Sequence, residues 1–229
     1  MGGANLKGLS LFTLGNVALL ISLYAYCGYS DNAMFPLELE SGLSDQQVSK
    51  CREASRNPGA ATESIPLYWP PGKLDEPGDH FYNAWFSVQL CAMRELPLKR
   101  MIDGQVTIRL LIDSSFHEDI VIRIERDVAE VRMISRIWGA PELGTESRTL
   151  DTSEVRLSQR HWSALEVLLE ELPFWELDPL DSGGGKDGST WVLEVSSKDR
   201  YHIVERWEGY GLPEVTSLIL ALADVEPTR

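Results

Sequence analysis

Basic residues are scarce in this sequence. Its 229 residues include 21 Lys and Arg against 35 Asp and Glu, which gives a formal net charge of −14. Lys7 is the only charged side chain before residue 31, so the whole acidic excess lies in the remainder. Such a surface repels phosphate backbones and anionic headgroups. We therefore expect no nucleic-acid partner. The charge favours a basic macromolecular partner or serves solubility alone.

Motifs for metal binding and common catalysis are also missing. The four His are dispersed, and the sequence has no His-Glu-x-x-His, Cys-x-x-Cys or Gly-x-Ser-x-Gly pattern. The loop SGGGKDGS at 182–189 departs from a phosphate-binding loop because Lys186 is followed by Asp187 and then by a predicted strand. The sequence predicts a flexible turn there, with no metal site and no cofactor.

Cysteine is rare as well, with three in the chain. Cys27 falls in or at the end of an apolar stretch, whereas Cys51 and Cys91 lie beyond it. In an oxidising compartment Cys51 and Cys91 could form a disulfide that closes a loop of about 40 residues. Two buried free thiols fit the sequence equally well, because sequence gives no distance between them.

The longest uncharged stretch runs from Gly8 to Ser30, 23 residues. A helix of that length can cross a hydrocarbon core of about 30 Å. Lys7 precedes it and acidic residues follow it, which favours a cytoplasmic N-terminus with the rest of the chain on the extracytoplasmic side. We expect a membrane anchor at 8–30. A cleaved signal, a lipoprotein signal ending at Cys27 and a buried core helix are the alternatives.

Three regions follow from the composition. Residues 1–30 form the anchor or signal segment. Residues 31–79 are rich in Pro, Gly, Ser and charge and predict a tether with a short helix from Asp45 to Ala54, capped by Ser44. Residues 80–229 form the globular domain, on which Ile65, Leu67, Tyr68 and Trp69 of the tether could dock.

The domain alternates helical and strand patterns in a way typical of an α+β fold. The sequence predicts an antiparallel sheet of about five to six strands with two or three helices packed on one face. The strands come in hairpins, and one sheet face is polar-leaning. The predicted helices are His80–Leu96, Gln159–Leu172 and Pro213–Ala223, and the strands before the last hairpin are Gln105–Asp113, Asp119–Arg126, Val128–Ile137 and Glu154–Leu157.

The segment 187–207, DGSTWVLEVSSKDRYHIVERW, predicts the last hairpin. Its register depends on the turn. If Ser196 pairs with Arg200, the large apolar side chains share one face, whereas if Ser197 pairs with Arg200 that segregation is lost. We prefer the first register, which places Glu194 opposite His202 with Arg206 further along the same face.

These three residues are the candidate catalytic group of the chain. His202 would act as a base, Glu194 would orient it, and Arg206 would hold an anion. A charged ladder on a half-solvated face explains the same residues, and we favour that interpretation. Trp191, Tyr201 and Trp207 are candidate binding residues beside the group, although the Trp side chains fit a core better than a ligand platform.

Three blocks of the sequence resemble a widespread bacterial family of uncharacterised exported or membrane-anchored proteins. They are WFSVQLCAMRELPL (85–98), TIRLLIDSSFHEDIVIRIE (107–125) and FWELDPLDSGGGKDGSTWVLEVSSKDRYHIVERW (174–207). The last carries the pattern FW…DG-x2-W-x2-E…YH-x3-RW. The sequence departs from the family at Lys198–Asp199, where a Gly is expected, and at Glu208–Gly209, which replace Ser-Pro. The family has no established activity, so the resemblance implies a domain type and not a reaction.

We therefore expect an envelope-tethered domain with a non-enzymatic binding or structural role toward a basic macromolecular partner, including an inhibitor or immunity-type role. The alternative is a small-ligand binder or a hydrolase-type enzyme that uses Glu194, His202 and Arg206.

Overall fold

Alternating apolar residues build a six-stranded antiparallel sheet in the order β4-β3-β2-β1-β5-β6. The strands are β1 Val106–Ser114, β2 Asp119–Arg126, β3 Val131–Trp138, β4 Leu150–Leu157, β5 Ser189–Ser196 and β6 Tyr201–Trp207. This computed structural model describes residues 43–55, 65, 67–70, 72–75, 80–98, 105–128, 130–139, 148–180, 185, 187–197 and 200–226. The predicted anchor at 8–30 lies outside the described residues.

Four α-helices flank the sheet in the described part of the chain. They are α1 Asp45–Ala54, α2 Phe81–Ala92, α3 Gln159–Glu171 and α4 Pro213–Ala223, with a short 3₁₀ helix at Phe174–Glu176. Ser44 and Ser158 cap α1 and α3 by accepting hydrogen bonds from the first turn, and Pro213 occupies the first turn of α4. The α+β class is confirmed.

The first face of the sheet packs against α3 and α4. Ile108, Leu110 and Ile122 of the sheet are buried on this face. They belong to one apolar cluster with Trp162 of α3 and Ile219 of α4. The three strand positions are apolar members of the alternation in β1 and β2, so they form the core that the two-residue period predicts.

The second face is covered as well, by α1, α2 and the segment before α2. Leu111, Val121 and Val192 are buried there with Phe86 and Leu90 of α2. The prediction that the helices pack on one face is therefore wrong. The polar-leaning alternation of β1 and β2 suggested a solvated face, but apolar residues at its centre make it a second core.

The predicted tether contributes to this second core. Tyr68 and Trp69 are each 1% exposed, and the described residues all belong to the unit Gly42–Arg229. A disulfide joins Cys51 of α1 to Cys91 of α2. Of the two alternatives predicted for these cysteines, a disulfide or two free thiols, the structure therefore contains the disulfide. The folded unit thus begins well before residue 80.

Helix α2 ends four residues earlier than predicted. Arg94 adopts a left-handed conformation (φ 61°), its N–H donates to the carbonyl of Cys91 at 3.0 Å, and the N–H of Glu95 donates to the carbonyl of Leu90 at 2.9 Å. This pair of bonds is the Schellman arrangement, which closes a helix before any proline is needed. The reversal turns Glu95 toward the second face of the sheet, where it is fully buried.

The two edges of the sheet differ. The outer strand β6 is covered, because Glu205 donates its N–H to the carbonyl of Pro179 at 2.7 Å. The opposite outer strand β4 is exposed from Asp151 to Arg156, and in the described part of the chain no strand lies beyond it. β4 is also four residues longer than predicted.

Candidate functional site

The observed hairpin register separates the predicted catalytic group. Ser197 pairs with Arg200, donating its N–H to the carbonyl at 2.8 Å, and Val195 is therefore opposite His202. Since opposite residues point to the same face, Glu194 lies on the second face and His202 on the first. The preferred register, with Glu194 opposite His202, is wrong.

Glu194 is held by a neighbour that the hairpin alone does not reveal. Arg109 of β1 is directly opposite Glu194 of β5, and both side chains are 1% exposed. Arg109 Nε donates to Glu194 Oε2 at 3.0 Å, and the Tyr201 hydroxyl donates to Glu194 Oε1 at 2.7 Å. The pairing of β1 with β5 sets the Arg109 contact, and the observed hairpin register adds to it by placing Tyr201 on the same face as Glu194.

This ion pair belongs to a larger group, the buried charge cluster, which consists of Glu95, Arg109, Arg123, Arg136 and Glu194. The Glu95 carboxylate lies 2.8 Å from Arg123 Nε and 3.5 Å from Arg109 Nη1, and it also contacts Arg136. Arg109 Nη1 donates to the carbonyl of Leu96 at 2.7 Å. The cluster thus cross-links the end of α2 to strands β1, β2, β3 and β5.

Sequence reasoning missed the buried charge cluster. The available signal was a charge at alternate positions of long apolar strands, Arg109 in β1 and Arg123 in β2. We interpreted this as a solvated face. The partner that decides burial is Glu95, and its position depends on where α2 ends.

His202 and Arg206 lie on the opposite face, where both bind the segment that covers the outer strand β6. The His202 Nε2–H donates to the carbonyl of Leu177 at 2.9 Å, and Arg206 Nη2 donates to the carbonyl of Asp178 at 3.0 Å. The His202 ring also packs edge-on against Phe174, with centroids 5.2 Å apart. Burial lowers the pKa of His202, which favours the neutral ring. Both residues hold the segment that covers β6.

The candidate binding residues Trp191, Tyr201 and Trp207 also contact other residues of the protein. The Trp191 Nε1–H donates to Ser189 Oγ at 2.7 Å. A Cβ placed on Gly188 would lie 2.6 Å from the Trp207 ring, so that glycine, at φ 138°, packs directly on the indole. Burial and then the Glu194 charge raise the pKa of Tyr201 well above 10. None of the three side chains forms an open platform.

A pair of carboxylates lies on the second face at the turn between β1 and β2. Asp113 accepts a hydrogen bond from Trp85 Nε1 at 2.8 Å, and Asp119 accepts one from Arg148 Nη2 at 2.8 Å. Burial, and next the charge of Asp119, raise the pKa of Asp113 to about 7. Burial also raises the pKa of Asp119, against the opposing effect of Arg148. The pair can therefore hold a proton near neutral pH.

Beside this pair, α2 presents aromatic rings to solvent. Phe81 is 54% and Tyr82 48% exposed, and their ring centroids are 5.4 Å apart. The Phe81 ring is 5.9 Å from that of Trp85, which in turn bonds Asp113. We call Phe81, Tyr82, Trp85 and Asp113 the acidic–aromatic patch. It offers an apolar surface with a carboxylate at one side.

A buried carboxylate fixes the start of the helix that carries this patch. Asp75 Oδ1 accepts the N–H of Tyr82 at 2.7 Å, and Asp75 Oδ2 accepts the N–H of Asn83 at 2.9 Å. This replaces the capping bond that His80 does not make. The exposed rings therefore stand on a fixed backbone, which reduces the entropy lost on binding.

Within the described residues, no three His, Cys, Asp or Glu side chains assemble as a metal site. None of the described helices combines the length and the apolar character that a membrane crossing requires. No protein-family model and no curated protein matches the chain.

Proposed function

We propose that this chain is an envelope-tethered domain with a binding or structural role, whose partner is a basic macromolecule that contacts the acidic–aromatic patch. The observation that carries the proposal is the exposure of Phe81 and Tyr82 on a fixed helix start, next to a carboxylate pair. Exposed aromatic rings near this carboxylate pair suit an arginine-rich surface, because a guanidinium can stack on a ring and its positive charge favours the ionised form of the acid.

The overall charge supports the same class of partner. Among the described residues, three arginines and five carboxylates are buried, so burial leaves most of the acidic excess on the rest of the chain. Long-range attraction to a basic partner then raises the association rate and falls with ionic strength. An inhibitor or immunity-type role toward a cationic protein fits this pattern.

An enzyme that uses Glu194, His202 and Arg206 receives no support from the geometry. Glu194 is buried with Arg109 on one face of the sheet, while His202 and Arg206 bond backbone carbonyls on the other. A shared substrate could not contact all three. The acidic–aromatic patch replaces them as the candidate site.

An extracytoplasmic location for the domain is part of the proposal. The disulfide between Cys51 and Cys91 supports it, because such bonds persist mainly in oxidising compartments. The predicted anchor at 8–30 would supply the tether. Alkylation of acid-quenched cells in denaturant, followed by reduction and a second, heavier alkylating reagent, tests the location: we expect Cys51 and Cys91 to take only the second reagent, and labelling by the first would contradict it.

Site-specific photo-cross-linking tests the partner. A photoreactive phenylalanine analogue replaces Tyr82 in the full chain in its native cells, and the matched control replaces Val167, which is 50% exposed on α3. We expect a discrete adduct with a basic protein at position 82, none at position 167, and a weaker adduct at high salt. A salt-insensitive adduct, or the same adducts from both positions, would refute the proposal.

A further inference from the structure

We propose that β4 is a self-association edge that joins two copies of this chain into a symmetric dimer with Val155 on the two-fold axis. Six consecutive residues of β4, from Asp151 to Arg156, are exposed, and Val155 is 44% exposed in their midst. An uncovered strand presents unpaired backbone groups that another strand can bond. The other edge of the sheet lacks this property because residues 177–179 cover it.

The ladder between β3 and β4 identifies the backbone groups that are available. The Gly139 N–H donates to the Thr149 carbonyl at 2.9 Å, in the same register that places Val131 opposite Leu157. Hydrogen-bonded and non-hydrogen-bonded pairs alternate in an antiparallel ladder. The odd-numbered residues of β4 therefore bond to β3, and the N–H and C=O groups of Thr152, Glu154 and Arg156 point outward.

Symmetry then limits the registers. A two-fold axis perpendicular to the sheet relates two antiparallel copies of β4. Side chains on one face of the first copy must continue on the same face of the second, so the residue on the axis lies opposite its own copy. With Glu154 on the axis, two like charges would face each other. With Ser153 on the axis, Thr152 would face Glu154 and no opposite charges would meet.

Val155 on the axis is the favourable register. Glu154 of each copy then lies opposite the partner's Arg156, so two cross-strand ion pairs form on one face. The same residues supply the outward N–H and C=O groups, which gives hydrogen-bonded pairs on both sides of the axis. The two Val155 side chains meet at a non-hydrogen-bonded position, where side chains approach most closely.

Glu154 and Arg156 already form ion pairs within one copy, but these pairs do not prevent the two residues from pairing across the dimer axis. Arg156 lies 2.5 Å from Glu130 and its side chain is 79% exposed, while Glu154 lies 3.5 Å from Arg132. Exposed pairs of this kind contribute little to stability. A pairing of about five residues per strand is short compared with permanent interfaces, so we expect a dimer that depends on protein concentration.

Disulfide trapping tests the axis directly. Val155→Cys in the full chain, in a Cys27→Ser background, should form a covalent dimer under mild oxidation, because opposed Cα atoms at a non-hydrogen-bonded pair are about 4.5 Å apart. Val167→Cys in the same background is the control of matched exposure. Mass spectrometry must find the 155–155 bond. Equal trapping at both positions, or an adduct of position 155 with a different protein alone, would overturn the proposal.

A charge exchange tests the register independently. Glu154→Arg and Arg156→Glu singly replace both attractive pairs by repulsive ones, and each should weaken self-association roughly tenfold in sedimentation equilibrium. The double variant restores both pairs across the axis, so dimerisation should return. Failure of the double variant to recover would contradict the register, and circular dichroism of each variant checks that the monomer fold is intact.

Discussion

The buried ion pair between Arg109 and Glu194 gives the sharpest prediction about stability. Glu194→Leu keeps the volume of the side chain but leaves Arg109, 1% exposed, without its main counter-charge. Breaking one side of a buried pair costs about 3–5 kcal/mol. Arg109 keeps Glu95 at 3.5 Å and the Leu96 carbonyl at 2.7 Å, so we expect the lower end, about 3 kcal/mol.

Urea unfolding, followed by tryptophan fluorescence with the disulfide intact, measures this loss. For a domain of this size the same change lowers Tm by about 6–12 °C. The double variant Arg109→Met, Glu194→Leu should regain much of the stability, because the pair is removed together with its desolvation cost. Glu170→Leu, an exposed substitution on α3, is the control and should stay within about 0.5 kcal/mol. A cost below about 1 kcal/mol for Glu194→Leu would refute the reasoning.

Three further outcomes follow from the geometry. His202→Ala removes the bond to the Leu177 carbonyl and should lower the unfolding free energy by about 1–2 kcal/mol, and an unchanged melting temperature would contradict the fastening role. Because the pKa of Asp113 rises from 3.8 to about 7 on folding, its stabilising contribution is complete below about pH 4 and is lost as the pH rises to about 7. Asp113→Asn should therefore raise Tm at pH 8 and reduce the fall in Tm between pH 4 and pH 8. The exposed control Asp178→Asn should do neither. Reducing the disulfide, which spans 40 residues, should cost about 4 kcal/mol in calorimetry.

Local patterns predicted the elements well, because periodicity and caps act over a few residues. The strands β1 and β2, the Ser44 and Ser158 caps and the Pro213 helix start all appear at or near their predicted positions. The start of β4 was missed, since only Glu154–Leu157 carries a strand-like pattern and both of its faces are exposed. A strand without a buried face has no apolar alternation to detect.

Interactions between distant segments were not predictable in the same way. The burial of Glu194 depends on Arg109, which lies 85 residues before it. A register that gathers the large apolar side chains looked best for the hairpin alone. In the sheet both faces of the hairpin are covered, with Val195 and Val204 in one core and Val192 and Ile203 in the other, so that segregation is not needed. The acidic–aromatic patch was missed because Phe81 and Trp85 fit the apolar face of a helix equally well from sequence.

The unequal edges of the sheet have a consequence for how the protein behaves when crowded. With β6 closed by residues 177–179, strands can be added on one side only. Pairing through β4 uses up that side in both copies at once, so such an assembly terminates and cannot propagate into a fibril. Variants that release residues 177–179, such as His202→Ala combined with Arg206→Ala, would open the second side, and their characteristic defect should be polymerisation at high concentration.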